Sequence, residues 1–294
     1  MIDDEAVPVC LFTYARPECL RRVLECLRRE QVPLLYVFSD GGRDVRDQEQ
    51  VKRVRSMIDD IDWTKVYICK RESNLGLGAN VLQGVSEVAK SHSTFIVWED
   101  DLICTAGAYR WMAFALRRYE HDPKVGSITA WTHSRIVPKG IGSQPYFDGR
   151  AECWVWGSWR RAWAGMQDEN ANAKMRSLEM RGINRNIYGT DLPRMAKDEE
   201  RRNIWAVRWL YHHIQRGFLC LRPPWSMVDH IGFDANATNA AGAVEWAGAP
   251  LRAIPPVPEV WPQSIENPQC LSLWRGAIHP PSILKRFLWR LMER

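Results

Sequence analysis

Three carboxylates in a row, Glu99-Asp100-Asp101, follow the apolar run Phe95-Ile96-Val97-Trp98. Like charges packed at a strand end cost stability unless a cation compensates them. Hard divalent ions such as Mg2+ take oxygen ligands, keep several waters and are shared with a substrate's phosphates; Mn2+ suits the same donors. In an extended segment side chains alternate, so Glu99 and Asp101 would share a face with Asp100 turned away, and all three are not expected to be ligands together. A solvated acidic turn is the alternative that needs no chemistry. Two other strand ends carry comparable residues. The first apolar run leads into Thr13-Tyr14-Ala15-Arg16-Pro17, and the second ends in Ser39-Asp40-Gly41-Gly42. A carboxylate such as Asp40 can accept the ring N–H of a base, and Arg16 suits a phosphate or the face of a base. Asp40 taken singly is also an ordinary turn residue. No G-x-G-x-x-G follows the first strand and no G-x-x-x-x-G-K-[ST] occurs, so dinucleotide and P-loop readings lose their support.

These residues need a scaffold that brings strand ends together, and the first 130 residues read as one. Val7–Thr13 is a strand, Pro17 suits the first turn of a helix, and Leu20, Val23, Leu24 and Leu27 follow at helical spacing. Leu34–Ser39 is a second strand, and Val51, Val54, Ile58 and Ile61 mark a second helix. Val66–Cys69 is a third strand, Ala79–Lys90 a helix and Thr94–Trp98 a fourth strand. A helix through Trp111, Met112, Ala115 and Tyr119 precedes a fifth strand, Val125–Thr129. Continuous apolar strands alternating with helices predict an α/β fold, a Rossmann-like, mostly parallel sheet with helices on both faces. Ligands of such sheets collect outside the carboxyl ends of the strands, where these acids lie.

Beyond residue 130 the periodicity weakens. Trp154, Trp156, Trp159 and Trp163 form an aromatic knot, Leu178–Asp198 reads as loop with a short helix, and Ile204–Arg216 as a helix. Gly217–Val228 is a strand interrupted by Pro223-Pro224, and residues 234–281, rich in Ala, Gly, Pro and Asn, suggest irregular wrapping or partial disorder. The expected organisation is a ligand-binding α/β half over residues 1–135, an irregular C-terminal elaboration on the same sheet over 136–281, and an amphipathic helix over 282–294. Composition agrees with a folded core: 294 residues are 46% hydrophobic, which excludes disorder and collagen-like repeats. Forty basic residues against 35 acidic leave +5, too slight and interspersed to argue for nucleic acid. The start, MIDDEAVPVC, lacks a secretory pattern, and no window of about twenty apolar residues spans a membrane. Eight cysteines without a CxxC pair or a short-range His/Cys cluster fit a reduced, cytoplasmic chain. The fifteen tryptophans serve either as core or as platforms for sugar rings.

The ordered set VPVCLFTYARPECLRRVLECL, YVFSDGG, NLGLGANVLQGV, FIVWEDDLICTAGAYRWM, VGSITAW and WVWGSWRRAW, over roughly residues 7–165, resembles the nucleotide-sugar glycosyltransferases of the GT-A fold. The likeness is to bacterial family-two-like enzymes and to the N-acetylglucosaminyltransferases of the medial Golgi. A weaker match continues in IWAVRWLYHHIQRGFLCLRPPWSMVDHIGFD. The resemblance implies that Asp40 contacts the base, Arg16 and Thr13 lie beside the nucleotide, and Asp101 holds the Mn2+ or Mg2+ that bridges the two phosphates. It further implies that Glu99 hydrogen-bonds the donor sugar and Asp100 lies near the ribose. Asn74 and Asn80, flanking a glycine-rich loop, would close one side of the nucleotide pocket, or simply shape a loop.

The implied activity is transfer of a hexose or N-acetylhexosamine from a uridine diphosphate sugar to a saccharide or lipid-linked saccharide acceptor, as in polysaccharide biosynthesis. Inverting transfer needs a base for the acceptor hydroxyl. The Golgi enzymes carry adjacent acids in a Trp-Asp-Asp-Trp-like stretch, but this chain has Trp205-Ala206-Val207-Arg208-Trp209. Either the base comes from elsewhere or the stereochemistry is not the inverting one; Asp191, Asp198, Glu199 and Glu200 precede that helix and all read as solvated, with Asp191 the chosen candidate for the base. A catalytically idle carbohydrate- or nucleotide-binding protein of the same fold is therefore the alternative function, ahead of a two-metal phosphoester hydrolase, which lacks His and Asp ligands in the first half. His230 and Asp234 lie where some enzymes of this fold supply a second metal ligand; a structural role is the alternative for His230. Trp154 and Trp156 are candidates for stacking on acceptor or sugar, against core packing. The tail SILKRFLWRLMER places Leu284, Phe287, Leu288 and Leu291 on one helical face with basic residues around the other. That pattern fits peripheral contact with an anionic membrane, or docking on the domain itself.

Overall fold

A computed structural model describes residues 6–232, 246 and 251–278. The expected helix at 282–294 and Asp234 lie outside the described residues. Strand β1 (Val9–Thr13) is wholly buried, and α1 (Pro17–Arg29) starts with Pro17 in its first turn, Glu18 near its N-terminus and Arg28 and Arg29 near its C-terminus, as the helix dipole favours. There follow β2 (Leu34–Ser39), α2 (Val45–Asp59), β3 (Lys65–Lys70), α3 (Leu77–Ser91) and β4 (Thr94–Glu99). The short β5 (Leu102–Cys104) precedes α4 (Ala108–Arg118) and β6 (Val125–Thr129). The C-terminal part contributes β7 (Tyr146–Asp148), β8 (Trp156–Trp159), α5 (Arg160–Trp163), α6 (Ala171–Met180), α7 (Leu192–Arg202), α8 (Trp205–Arg216), β9 (Leu219–Arg222), β10 (Val228–His230) and α9 (Cys270–Ala277).

The fold is the expected α/β class. The main sheet runs β3-β2-β1-β4-β8-β6-β9-β7. Pairs β3/β2, β2/β1, β1/β4 and β6/β9 are parallel, and the antiparallel β8 is inserted between β4 and β6. From β1 the chain moves outward through β2 to β3, then returns to place β4 on the other side of β1. The strand order thus reverses at β1/β4, and the carboxyl ends of these strands are where ligands of such sheets collect. Helices cover both faces. At Gly157 of β8 a Cβ would meet Leu116 of α4 at 2.8 Å, while the neighbouring Trp156 stacks in the opposite direction on Trp163, Trp205 and Trp209. Edge strand β3 is partly exposed and bounded by Lys65 and Lys70, charges that discourage further strand pairing.

Three elements, β5, β10 and α9, depart from the sequence expectation. β5 and β10 form a separate antiparallel ribbon, in register Leu102 with His230, which turns the segment after Pro223-Pro224 back across the crevice. Helix α9 lies inside the stretch expected to be irregular; it forms because Cys270 and Trp274 are buried against the sheet. Residues Leu178–Asp198 are, as expected, loop with helix: the end of α6, an irregular stretch over 181–191 and the first two turns of α7. Glu199 is buried, with Oε1 accepting from Arg208 Nε at 2.5 Å and Oε2 from Ala171 N at 2.6 Å, so it is not the solvated acid expected. None of the eight cysteines forms a disulfide. Among the described residues no helix is long and apolar enough to cross a membrane.

Candidate active site

The three acids stand at the switch point, but as a turn rather than an extended strand. Trp98, buried in β4, donates its indole N–H to Leu102 O at 2.7 Å and folds the chain back directly after Glu99. Strand alternation therefore stops at Glu99, and each acid finds a different environment. Asp100 Oδ2 accepts from Tyr14 N at 2.8 Å, which ties the turn to the end of β1. Asp101 Oδ2 forms an ion pair with Arg16 Nη1 and lies 3.5 Å from His230 Nε2. Among the described residues Asp101 Oδ1 is buried with no hydrogen-bond partner. Ile231 N donates to Asp101 O at 2.8 Å, so the β5/β10 ribbon delivers His230 to this acid.

The compensating cation is thus Arg16, in part. The sequence places it beside the nucleotide; the structure turns it onto Asp101. Burial, with the charges of Asp101 and Asp100, pushes Glu99 up to about 8; burial and Asp101 push Asp100 up to about 7. His230 is held below the ordinary imidazole range by burial, against the pull of Asp101. Both raised carboxyls bind more protons folded than unfolded at intermediate pH, so their contribution to stability falls as pH rises from their ordinary range through about 7 to 8. Chelator-treated protein is expected to lose stability in urea between pH 5 and pH 8, roughly the span between the reference and shifted values. A Glu99→Gln variant should flatten that slope. An unchanged slope in the variant would contradict the assignment.

Asp40 is buried and its carboxylate is saturated. Oδ1 accepts from Gly41 N and Leu75 N, at 2.9 and 2.8 Å; Oδ2 accepts from Gly76 N and Asn74 Nδ2, at 2.9 and 3.2 Å. With four acceptor positions filled, Asp40 clamps the glycine-rich loop and offers no free lone pair to a base, which corrects the expected base contact. Asn74 Nδ2 also donates to Gly41 O at 2.8 Å. Asn80, likewise buried, joins Phe38 O and Arg71 Nε, bracing α3 against β2. Both asparagines shape the loop from behind. Gly41 is required there: a Cβ would stand 2.5 Å from the carbonyl carbon of Ser73. Thr13 ends β1 with its hydroxyl buried and unpartnered.

Asp191 does not stand as a free proton acceptor. Its two oxygens accept from Arg150 Nη1 and Nη2 at 3.1 and 2.8 Å, a bidentate pair at the start of α7. The first turn of α8 carries Trp205, Ala206 and Val207, with no acid. Trp156 is fully buried in the tryptophan cluster and presents no face to a sugar, which corrects the expected stacking role. Trp154 is half-buried, its ring 5.0 Å from that of His230, and so borders the crevice. Tyr14 and Gly232, which sequence reasoning passed over, complete the wall. Tyr14 donates its hydroxyl to Asp47 and its backbone N–H to Asp100. Gly232 lies directly over the Arg16–Asp101 pair; the only sequence signal was its place in Asp229-His230-Ile231-Gly232.

Potential ligand atoms of Asp148, Glu266 and Cys270 also converge among the described residues. Their chemistry is already spent. Asp148 Oδ2 accepts from Arg222 Nε at 2.7 Å and Trp274 Nε1 at 2.8 Å, Glu266 accepts from Gly149 N and Tyr188 Oη, and Cys270 Sγ donates to Phe147 O. Asp101, with a buried unpartnered oxygen and an imidazole beside it, fits a hard divalent cation better than this interior network does.

No protein-family model and no curated protein matches the chain. Solved structures do resemble it. One is the mannosyltransferase PcManGT from Pyrobaculum calidifontis in complex with GDP-Man and Mn2+, at 12% identity over 83% of this chain and 66% of that one, with a TM-score of 0.45. Another is S. aureus TarS 1–349, at 9% identity over 76% of this chain and 59% of that one, with a TM-score of 0.44. The chain spans less than two thirds of the length of either.

Proposed function

We propose that this chain is a glycosyltransferase of the GT-A type that moves a sugar from a nucleoside diphosphate donor, taken as a uridine diphosphate sugar, to a saccharide or lipid-linked saccharide acceptor. The observation that carries this reading is the unpartnered, buried Oδ1 of Asp101 at the reversal of strand order. Asp101 would hold a divalent cation, Mn2+ or Mg2+, with His230 as its neighbour. When bound, that cation supplies Lewis-acid neutralisation of the charge on the leaving nucleoside diphosphate. Arg16, leaving from the β1–α1 turn, brings a second positive charge to the same diphosphate. Glu99, whose burial keeps its carboxyl largely protonated near neutral pH, can donate a hydrogen bond to a donor-sugar hydroxyl as well as accept one. Trp154 offers the apolar face of its indole to a sugar ring on the acceptor side.

Asp40 acts on the nucleotide through the loop it clamps. Asp40→Ala is expected to weaken UDP and GDP by a similar factor, about tenfold or more for a buried charge-assisted network at about 1.5–3 kcal/mol per bond lost. Isothermal titration with both nucleotides checks this. Loss of UDP binding alone would return Asp40 to a base-reading role.

The test of the function is release of nucleoside diphosphate from a panel of nucleotide sugars, with and without Mn2+. Release from one donor that requires both Mn2+ and Asp101 supports the reading; absence of release and of donor binding under every condition overturns it. A second reading, an idle binding protein of the same fold, is favoured by the bidentate engagement of Asp191 with Arg150 and the missing acid at the start of α8. Saturable binding of UDP without turnover in the presence of acceptor glycans would select it.

A further inference from the structure

The two oxygens of Asp101 are chemically unlike. Oδ2 is neutralised by Arg16 Nη1, whereas Oδ1 is buried and has no partner among the described residues. The pair is enclosed: the Arg16 side chain is 18% exposed and that of Asp101 7%. Gly232 closes it from above, so tightly that a Cβ there would stand 2.5 Å from both Arg16 Nη1 and Asp101 Oδ2. Arg16 is held at its base by position, since it precedes Pro17 at the start of α1 and its carbonyl accepts from Leu20 N at 3.0 Å. Its long side chain is therefore a tether of fixed origin whose charged end is held by the ion pair with Asp101.

A divalent ion reaching Oδ1 would bring two positive charges beside this guanidinium. In a site so enclosed, like charges are poorly screened, and both cannot keep full contact with one carboxylate. A diphosphate entering the crevice offers the guanidinium a better partner, because planar N–H forks pair with phosphate oxygens in bidentate fashion. We infer that Arg16 is a built-in counter-ion for Asp101, which a divalent cation must displace and which a nucleoside diphosphate draws away, so that metal and diphosphate bind with positive coupling. This rests on the reading of Asp101 as a metal-holding acid. In the free protein Arg16 occupies the carboxylate, and affinity for metal alone is reduced by the fraction of molecules in that state. By linkage, whatever factor UDP adds to Mn2+ affinity, Mn2+ adds to UDP affinity. The arrangement protects an acid-rich turn from an uncompensated charge without requiring a resident ion.

The test is Mn2+ binding without turnover, followed by the electron paramagnetic resonance signal of free Mn2+, for wild type, Arg16→Gln, Arg16→Lys and Asp101→Asn, each with and without UDP. Thermal melts confirm that each variant is folded. Wild type should bind Mn2+ weakly alone and more tightly with UDP, by a factor in the range of about 5 to 150 usual for coupled sites. Arg16→Gln should bind Mn2+ alone about tenfold or more tightly than wild type, within the same coupling range, and gain less from UDP. Arg16→Lys, which keeps the charge and serves if the glutamine variant fails to fold, should bind Mn2+ alone as weakly as wild type. Asp101→Asn should lose the binding. Equal Mn2+ affinity for wild type and Arg16→Gln, with binding still lost in Asp101→Asn, overturns the counter-ion role and leaves the metal site standing. Undiminished Mn2+ binding in Asp101→Asn overturns the metal site itself, and the counter-ion role with it.

Discussion

Asp101→Asn is expected to lower nucleoside diphosphate release from the donor by about 10²–10³-fold, the usual cost of removing one preorganised electrostatic contact to a developing charge. The substitution is nearly isosteric, so the turn closed by Trp98 and Leu102 O should persist, and Ile231 N should still find Asp101 O. What changes is charge. Arg16 loses its carboxylate, and a divalent ion loses the one acidic oxygen that is buried without a partner among the described residues. The fall should appear in kcat as well as in kcat/KM, because the contact strengthens as the diphosphate departs. A variant that melts near wild type and retains full turnover would remove Asp101 from the chemistry.

The largest stability effect is expected away from this crevice, at Asp148 on β7. Asp148 and Arg222 are both fully buried and joined at 2.7 Å. Asp148 also accepts from Trp274 Nε1 and from Arg150 N, at 2.8 and 3.0 Å, and so binds α9 and the loop before β8 to the edge of the sheet. Arg222 in turn donates to Trp131 O and Arg150 O. Asp148→Ala would take the partner at 2.7 Å from a fully buried guanidinium and leave it, among the described residues, only Glu152 Oε2 at 3.7 Å as a counter-charge, at a cost of about 3–5 kcal/mol. Replacing both partners with apolar residues, Asp148→Leu with Arg222→Met, should cost less than Asp148→Ala alone, since the fully buried guanidinium leaves with its partner and only the partly exposed Glu152 loses a contact. Urea titrations of the three proteins test this. A single variant losing under about 1 kcal/mol, the scale of an exposed pair, would show the pair to be solvated.

The half of the fold that forms the crevice was legible because its signals are local. β1, β2 and β4 are continuous apolar runs, α1 opens on Pro17, and the acids follow β4 immediately in the chain. Their meeting lies in the strand order β3-β2-β1-β4, which right-handed crossovers permit but do not by themselves dictate. The C-terminal half was not legible because its structure depends on distant partners. β8 has four residues and is a strand only because β4 and β6 flank it. α9 has eight residues, and burial of Trp274 rather than periodicity holds it in place.

The site divided in the same way. Residue types were readable, but engagements were not. Asp40 looks in the sequence like an available acceptor, yet its lone pairs are consumed by Leu75, Gly76 and Asn74, which lie more than thirty residues away. Asp191 looks like a spare acid until Arg150 is brought to it from forty-one residues away. Trp156 and Trp154 stand two apart, yet only Trp154 borders the crevice, because β8 begins at Trp156 and draws it into the core.

Anomalous diffraction from crystals soaked with UDP and Mn2+ tests the central claim most directly. The expected result is one Mn2+ on Asp101 Oδ1, touching the diphosphate, with the Arg16 guanidinium moved from Asp101 to a phosphate oxygen. Bound UDP with no ion at Asp101, or Mn2+ found only among Asp148, Glu266 and Cys270, would contradict it.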